Sequence, residues 1–258
     1  MTKSPSIGVY FLLPAFNEAE NIAKQIQTLI TLAEPLIQQF TILVVDDGSS
    51  DDTGMIVEKI LQKDSRIQLV RHEKNQGPGI AFLTGFQKIF ESAKDSDAII
   101  SMDADNTHSE RTIRMMMARL EEGYELVIAS VYAPGGMFIG LPFIRYVLSI
   151  GCNFLYRILF PINGIKEYTG FYRAYHVGAL KNAFKKFENN GHHLITANGF
   201  AGAAELIVKL RQIPLFMIEV PMLVRYDQKG GKSKLRIGKT IFEHVSIIFS
   251  NFFKRRIL

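Results

Sequence analysis

Five short apolar runs, alternating with four stretches of helical period, constrain this chain more than any other feature. The runs are Gly8–Leu13, Phe40–Val45, Ile67–Val70, Ala98–Met102 and Leu126–Ser130. They are nearly continuous in apolar residues, which is the pattern of strands covered on both faces. Between them lie Glu18–Leu32, Asp51–Leu61, Gly77–Phe90 and Ser109–Leu120. In the first of these Ile22, Ile26, Leu29 and Ile30 share one helical face. Asp51 and Asp52 suit the positive end of the second. This alternation predicts an α/β fold, a mainly parallel sheet with helices on both faces. Ligands of such sheets gather beyond the carboxyl ends of the strands, so polar residues there are the candidates for chemistry.

The pattern changes after Tyr132. Pro134-Gly135-Gly136 breaks the chain, and Pro142–Phe160 then reads as one long, mostly apolar helix. Its polar residues Arg145, Ser149 and Asn153 recur every four positions, with Arg157 next. Four residues advance a helix by about 400°, so they form one slowly drifting stripe. The other faces carry Phe143, Ile144, Val147, Leu148, Phe154, Leu155 and Leu159. Such a helix is either deeply buried or lies against lipid. Thr169–Tyr175 reads as extended and Gly199–Leu210 as helical. Leu215–Val224 reads as a strand whose Pro221 suggests an edge position. Arg236–Ile257 has helical apolar spacing and ends in the basic cluster Lys254-Arg255-Arg256.

A chain of 258 residues, 47% hydrophobic, can bury the core of one large domain or of a domain with an appendage. Between Lys229 and Leu258 basic residues outnumber the single acid, Glu243, by more than the net charge of +5 of the whole chain. A basic terminus suits anionic lipid or phosphorylated substrates. No RNA-binding signature or zinc-ligand spacing accompanies it, so nucleic acid is not expected. The single cysteine, Cys152, excludes an intrachain disulfide. The first apolar run breaks at Pro14, so no signal peptide is expected. No apolar run reaches the roughly eighteen residues of a membrane span.

Five motifs sit at or near expected strand ends. They are Pro14-Ala15-Phe16-Asn17-Glu18, the run Asp46-Asp47-Gly48 to Thr53, Asn75-Gln76-Gly77-Pro78-Gly79, Asp103-Ala104-Asp105 and Thr169-Gly170-Phe171-Tyr172-Arg173. Two carboxylates one residue apart at a strand end can hold a hard divalent cation, and the cation a diphosphate. The first strand is not followed by the glycine fingerprint of a dinucleotide-binding oxidoreductase.

In this order the motifs resemble the family 2 glycosyltransferases of the GT-A fold, and within them the dolichyl- or polyprenyl-phosphate mannosyl- and glucosyltransferases. The resemblance runs from about Val9 to Leu235. It implies a GT-A domain over residues 1–235, with a nucleotide-sugar half (1–132) and an acceptor half (133–235), followed by a basic amphipathic helix (236–258). It further implies that Pro14, Phe16 and Glu18 border the nucleobase and ribose. Asp46 would meet the base edge, Asp47 would lie close to the ribose, and Gly77 would serve the donor site. Asp103 and Asp105 would hold Mg2+ or Mn2+ against the diphosphate of the sugar nucleotide. Arg145 and Ser149 match the acceptor-phosphate helix of the family, and Arg157 extends their stripe. Gly231-Lys232-Ser233-Lys234 matches a loop that closes over phosphates, with Lys232 and Lys234 as its cations. Asp105, Arg145 and Lys232 would carry catalysis.

Three departures stand out. Val131-Tyr132 occupies the place of Arg-Tyr, Lys166 the place of an Asp, and Ala201 to Ala204 replace larger side chains ahead of Glu205. The resemblance implies an inverting transfer of a hexose from a GDP-mannose or UDP-glucose type donor to a polyprenyl phosphate. The enzyme would be cytoplasmic and peripheral at the membrane, with a membrane-spanning partner subunit as one means of attachment. Two alternatives stay open from the residues: a hydroxyl acceptor on a glycan or glycolipid, and a non-catalytic nucleotide-sugar-binding module.

Overall fold

A computed structural model of the protein describes residues 7–105, 110–228 and 237–253. The expected strands are present as β1 (Val9–Ala15), β2 (Phe40–Asp46), β3 (Ile67–Arg71), β4 (Ala98–Ser101) and β5 (Leu126–Ser130). The intervening helices are α1 (Ile22–Ala33), α2 (Thr53–Leu61), α3 (Pro78–Phe90) and α4 (Glu110–Glu121). Later elements are β6 (Met137–Ile139), α5 (Phe143–Leu159), β7 (Arg173–His176), α6 (Val177–Asn189), α7 (Gly202–Leu210), β8 (Met217–Pro221), β9 (Leu223–Arg225) and α8 (Ile237–Phe253).

Seven strands form one sheet in the order β3-β2-β1-β4-β7-β5-β8. All run parallel except β7, which lies antiparallel between β4 and β5. Side chains alternate across β1. Val9, Phe11, Leu13 and Ala15 face the layer of α1 and α4, while Leu12 packs with Phe82 and Phe86 of α3. Both faces are thus covered, as the unbroken apolar strands require.

The expected strand Leu215–Val224 is two strands. β8 closes the edge of the large sheet at Pro221, and β9 pairs with β6 in a separate ribbon. Proline lacks an N–H to donate, which fits the edge. The helix α6 and the strand β6 add to the elements anticipated from sequence. No helix among the described residues is long and apolar enough to cross a membrane.

Candidate active site

The register of the sheet gathers the motifs on one edge. Ser101 of β4 and Ile128 of β5 both pair with Arg173 of β7. The Asp103-Ala104-Asp105 turn, the Val131-Tyr132 turn and the Thr169–Tyr172 segment therefore leave the sheet side by side. Ser101 Oγ ties two of them, donating to the Phe171 carbonyl at 2.5 Å. The ends of β1, β2 and β3 lie on the same edge because all run parallel to β4.

On the donor side, loops are held by carboxylates that accept backbone N–H groups. Asp46 is fully buried. Its Oδ1 accepts the Ser49 N–H at 3.0 Å and its Oδ2 accepts Arg71 Nε at 3.1 Å. Gly54 makes room for this pair, since a Cβ there would stand 2.6 Å from Asp46 Oδ2. Arg71 also reaches Glu58 at 3.1 Å and stays about half exposed. It belongs to the candidate site, and its place at the end of β3 was the signal for it. Asp47 does not present an open carboxylate as a ribose ligand would. Its oxygens accept the Gln76 and Gly77 N–H groups at 2.9 and 2.8 Å and meet His72 Nδ1 at 2.7 Å. It shapes the loop ahead of α3.

Gly77 is explained by packing. Its φ of +93° lies in the left-handed region, and a Cβ would come within 2.3 Å of the Asn198 carbonyl oxygen. Pro14 and Phe16 are half-buried at the end of β1. The Glu18 N–H donates to Thr53 Oγ1 at 2.8 Å, and Glu18 Oε2 accepts Asn21 Nδ2 at 2.7 Å. Asn17, the non-glycine residue with positive φ (54°), accepts the Ser50 N–H at 2.8 Å. The β1 and β2 loops are in this way one unit.

Asp105 is buried and Asp103 half-buried, just past β4. No group of three or more His, Cys, Asp or Glu is assembled among the described residues as a metal cage. Two carboxylates supply fewer oxygens than the roughly six a hard cation takes. This donor set fits a Mg2+ or Mn2+ that shares its coordination with phosphate oxygens and water. His108, Lys232, Lys234 and the Lys254–Arg256 cluster lie outside the described residues.

On the acceptor side, α5 is turned inside out. Its polar stripe faces the protein: Asn153 is buried, and Arg145 and Ser149 are half-buried. Its apolar side is exposed, with Phe143 at 79%, Phe154 at 58% and Ile158 at 60%. Arg157 does not join Arg145 and Ser149. Three steps of about 40° each carry the stripe round the helix, and Arg157 ends on the exposed side. Next to α5 lies α8, whose Ile241, Phe242, Val245 and Phe249 are exposed as well. The two helices are joined where Tyr156 Oη meets His244 Nδ1 at 3.0 Å.

Two acidic residues near this helix are already committed. Glu167 Oε1 accepts the N–H groups of Thr169 and Gly170 and the Thr169 hydroxyl, at 2.8 to 3.1 Å. Burial pushes its carboxyl above the usual range. Glu205 accepts the Thr196 and Ala197 N–H groups at 2.7 and 2.8 Å and pairs with buried Lys209 at 2.5 Å. Glu205 anchors the segment against which Gly77 and Gly79 pack. Lys166 gives its backbone N–H to Glu219 Oε1 at 2.5 Å.

Comparison with known proteins agrees with this architecture. The family model "Glycosyl transferase family 2" matches residues 10–192. A polyprenol monophosphomannose synthase of Mycolicibacterium smegmatis is 31% identical over 235 residues, 91% of this chain and 83% of that protein. A dolichol-phosphate mannosyltransferase of Pyrococcus furiosus is 29% identical over 93% of this chain, which spans 62% of its length. In fold the chain is similar to glucosyl-3-phosphoglycerate synthase of Mycobacterium tuberculosis, solved with Mn2+, UDP and glucosyl-3-phosphoglycerate. That match has a TM-score of 0.64 at 17% identity and covers 96% of this chain and 80% of the other. The fold is GT-A-like, and the chain belongs to glycosyl transferase family 2.

Proposed function

We propose that this glycosyltransferase moves a hexose from a nucleoside-diphosphate sugar, of GDP-mannose or UDP-glucose type, to a polyprenyl or dolichyl phosphate. An acceptor phosphate oxygen forms the new bond to the anomeric carbon as the bond to the leaving diphosphate oxygen breaks. The electron pair departs with the nucleoside diphosphate, and the carbon inverts.

The observation that carries the acceptor is the orientation of α5. It brings Ser149 against Tyr132 at the site edge, leaves Arg145 half-buried on the same stripe, and turns an apolar face outward. A lipid phosphate has the matching division, an anionic head on a hydrocarbon chain. A phosphate with its second pKa near six is already ionised at neutral pH, so it needs placement more than a general base. A hydroxyl acceptor would need a positioned carboxylate, whereas Oε1 of Glu167 and both oxygens of Glu205 are engaged within the protein. The similarity to the polyprenol monophosphomannose synthase of Mycolicibacterium smegmatis supports the same acceptor.

On the donor side Asp103 and Asp105 would hold a divalent cation. Once bound, it would offset charge on the leaving diphosphate. Lys232 and Lys234 are proposed to close over the same phosphates. The exposed faces of α5 and α8 support peripheral attachment at the cytoplasmic membrane face, with a membrane-spanning partner subunit as an added anchor.

The test is product analysis with GDP-mannose, UDP-glucose and other nucleotide sugars against polyprenyl phosphates and neutral polyprenols. A phosphodiester-linked sugar lipid is expected. Equal transfer to the neutral alcohol would remove the phosphate acceptor.

A further inference from the structure

Behind Ser149 runs a chain of hydrogen bonds that starts from one oriented amide. A backbone N–H only donates, so the Asn153 side-chain atom that meets the Tyr168 N–H at 2.7 Å is its carbonyl oxygen. The NH2 of the same amide then faces three acceptors: the Ser149 carbonyl at 3.0 Å, Thr169 Oγ1 at 3.1 Å and Tyr132 Oη at 3.3 Å. The Thr169 hydroxyl gives its hydrogen to Glu167 Oε1 at 2.8 Å. The amide has two hydrogens for these three oxygens, of which Tyr132 Oη is the farthest, and Tyr132 has its own hydrogen to give. Ser149 Oγ stands 2.7 Å from Tyr132 Oη. Either hydroxyl can donate in that contact; with Tyr132 as the donor, the hydroxyl hydrogen of Ser149 is left to point away from the chain.

Other observations agree that this chain is built rather than incidental. The Tyr132 ring is held edge-on by Phe138 at 6.4 Å, and its N–H is tied to Ser130 Oγ at 3.1 Å. Burial pushes its hydroxyl far above the usual range, so it remains a donor across the physiological span. Val131, in the place where the family resemblance implies an arginine, is itself buried and brings no cation to this turn.

We propose that Tyr132 and Asn153 are positioning residues that aim the Ser149 hydroxyl at the acceptor phosphate as a hydrogen-bond donor. The proposal rests on the phosphate-acceptor reading above. It makes this part of the acceptor site a neutral donor held by a relay, beside the cation of Arg145. Tyr132 acts through Ser149 and does not itself touch the phosphate.

The experiment is steady-state kinetics with a polyprenyl phosphate in detergent, alongside calorimetry with UDP and GDP. Tyr132→Phe removes one hydroxyl and keeps the ring. It is expected to raise the acceptor KM about fivefold and leave kcat, donor KM and nucleotide affinity within twofold. Ser149→Ala is expected to raise the acceptor KM at least as much, and Ser149→Thr to restore most of it. Because both tyrosine and serine serve one bond, the double variant is expected to be no worse than Ser149→Ala. A folded Tyr132→Phe enzyme with unchanged acceptor KM overturns the proposal, and so do multiplicative effects in the double variant. If Tyr132→Phe fails to fold, an unchanged acceptor KM in Ser149→Ala overturns it. Should Arg145→Ala raise the acceptor KM while both hydroxyl variants do not, the phosphate reading stands and the relay falls. Absence of any product from polyprenyl phosphate with the wild-type chain overturns both.

Discussion

The donor and acceptor sides of this edge both use carboxylates to hold loop backbone, and the acceptor side adds a cluster of side chains bonded to one another. On the donor side, carboxylates hold backbone: Asp47 grips Gln76 and Gly77, and Asp46 grips Ser49. The partners lie in successive strand-end loops, so the geometry comes with the fold. On the acceptor side, side chains hold side chains: Tyr132, Ser149, Asn153 and Thr169 meet from three separate segments. The helix that carries two of them shows its apolar face outward. The donor side is thus fixed mainly by bonds from carboxylates to loop backbone and the acceptor side also by contacts between side chains, which makes the acceptor side the easier one to retune without losing the fold.

The largest expected effect tests whether the donor side is a metal and diphosphate site at all. Asp105→Ala is expected to lower transfer by at least about a thousandfold, roughly 4 kcal/mol of transition-state stabilisation. EDTA is expected to silence the wild-type enzyme to a similar degree. An active variant, or activity that survives EDTA, would break the assignment of Asp103 and Asp105.

Asp47 tests the other half of the comparison. It lies one residue past the end of β2, as Asp103 lies two past β4, yet it serves backbone. Asp47→Ala leaves two N–H groups and His72 without their acceptor. Losing charge-assisted bonds to a buried carboxylate costs about 2–3 kcal/mol. Chemical denaturation is expected to show that loss, with weaker UDP and GDP binding as its consequence. Asp46→Ala is expected to weaken nucleotide binding without metal present. A fully stable Asp47→Ala protein would return Asp47 to the role of a direct ribose ligand.

These contrasts explain what sequence could reveal. The strands of the first half were legible because their apolar runs end at polar motifs, and the motifs lie where parallel strands finish. The role of Asp47 was not legible, since a carboxylate that binds ribose and one that binds Gly77 N–H look alike in a Asp-Asp-Gly run. Gly77 carried the same ambiguity: it suits close approach by a phosphate or by the Asn198 carbonyl, and the latter is present. The polar stripe of α5 was legible as a period of four, but not which way it faced. Arg157 continues the period of four in sequence, but three steps of about 40° carry it off the buried stripe. The relay from Glu167 to Ser149 depends on β7 lying between β4 and β5, a crossover no local pattern encodes.

The smallest expected effect concerns the outward face of the acceptor side. The polar stripe of α5 needs the protein, so its apolar side has to meet something other than the core. Phe143 and Phe154 on α5, and Phe242 and Phe249 on α8, stay exposed. Amphipathic helices lie in the lipid interface by burying such a face, with nearby basic residues drawn to anionic headgroups. Partial burial of one phenylalanine contributes about 1 kcal/mol, roughly a fivefold change in partitioning. Phe154→Ser is therefore expected to lower recovery on floated anionic vesicles by about that factor, with transfer to a detergent-dispersed acceptor nearly unchanged. Neutralising Lys254, Arg255 and Arg256 is expected to weaken binding to anionic vesicles and leave binding to neutral vesicles alone, since each charge contributes about 1 kcal/mol only near an anionic surface. If Phe154→Ser floats as well as the wild type while the basic variant does not, the charge carries the attachment and the apolar face serves a protein partner. If neither variant changes recovery, the inside-out helix is not a lipid-facing one, and the comparison between a loop-built donor side and a membrane-built acceptor side fails at its second half.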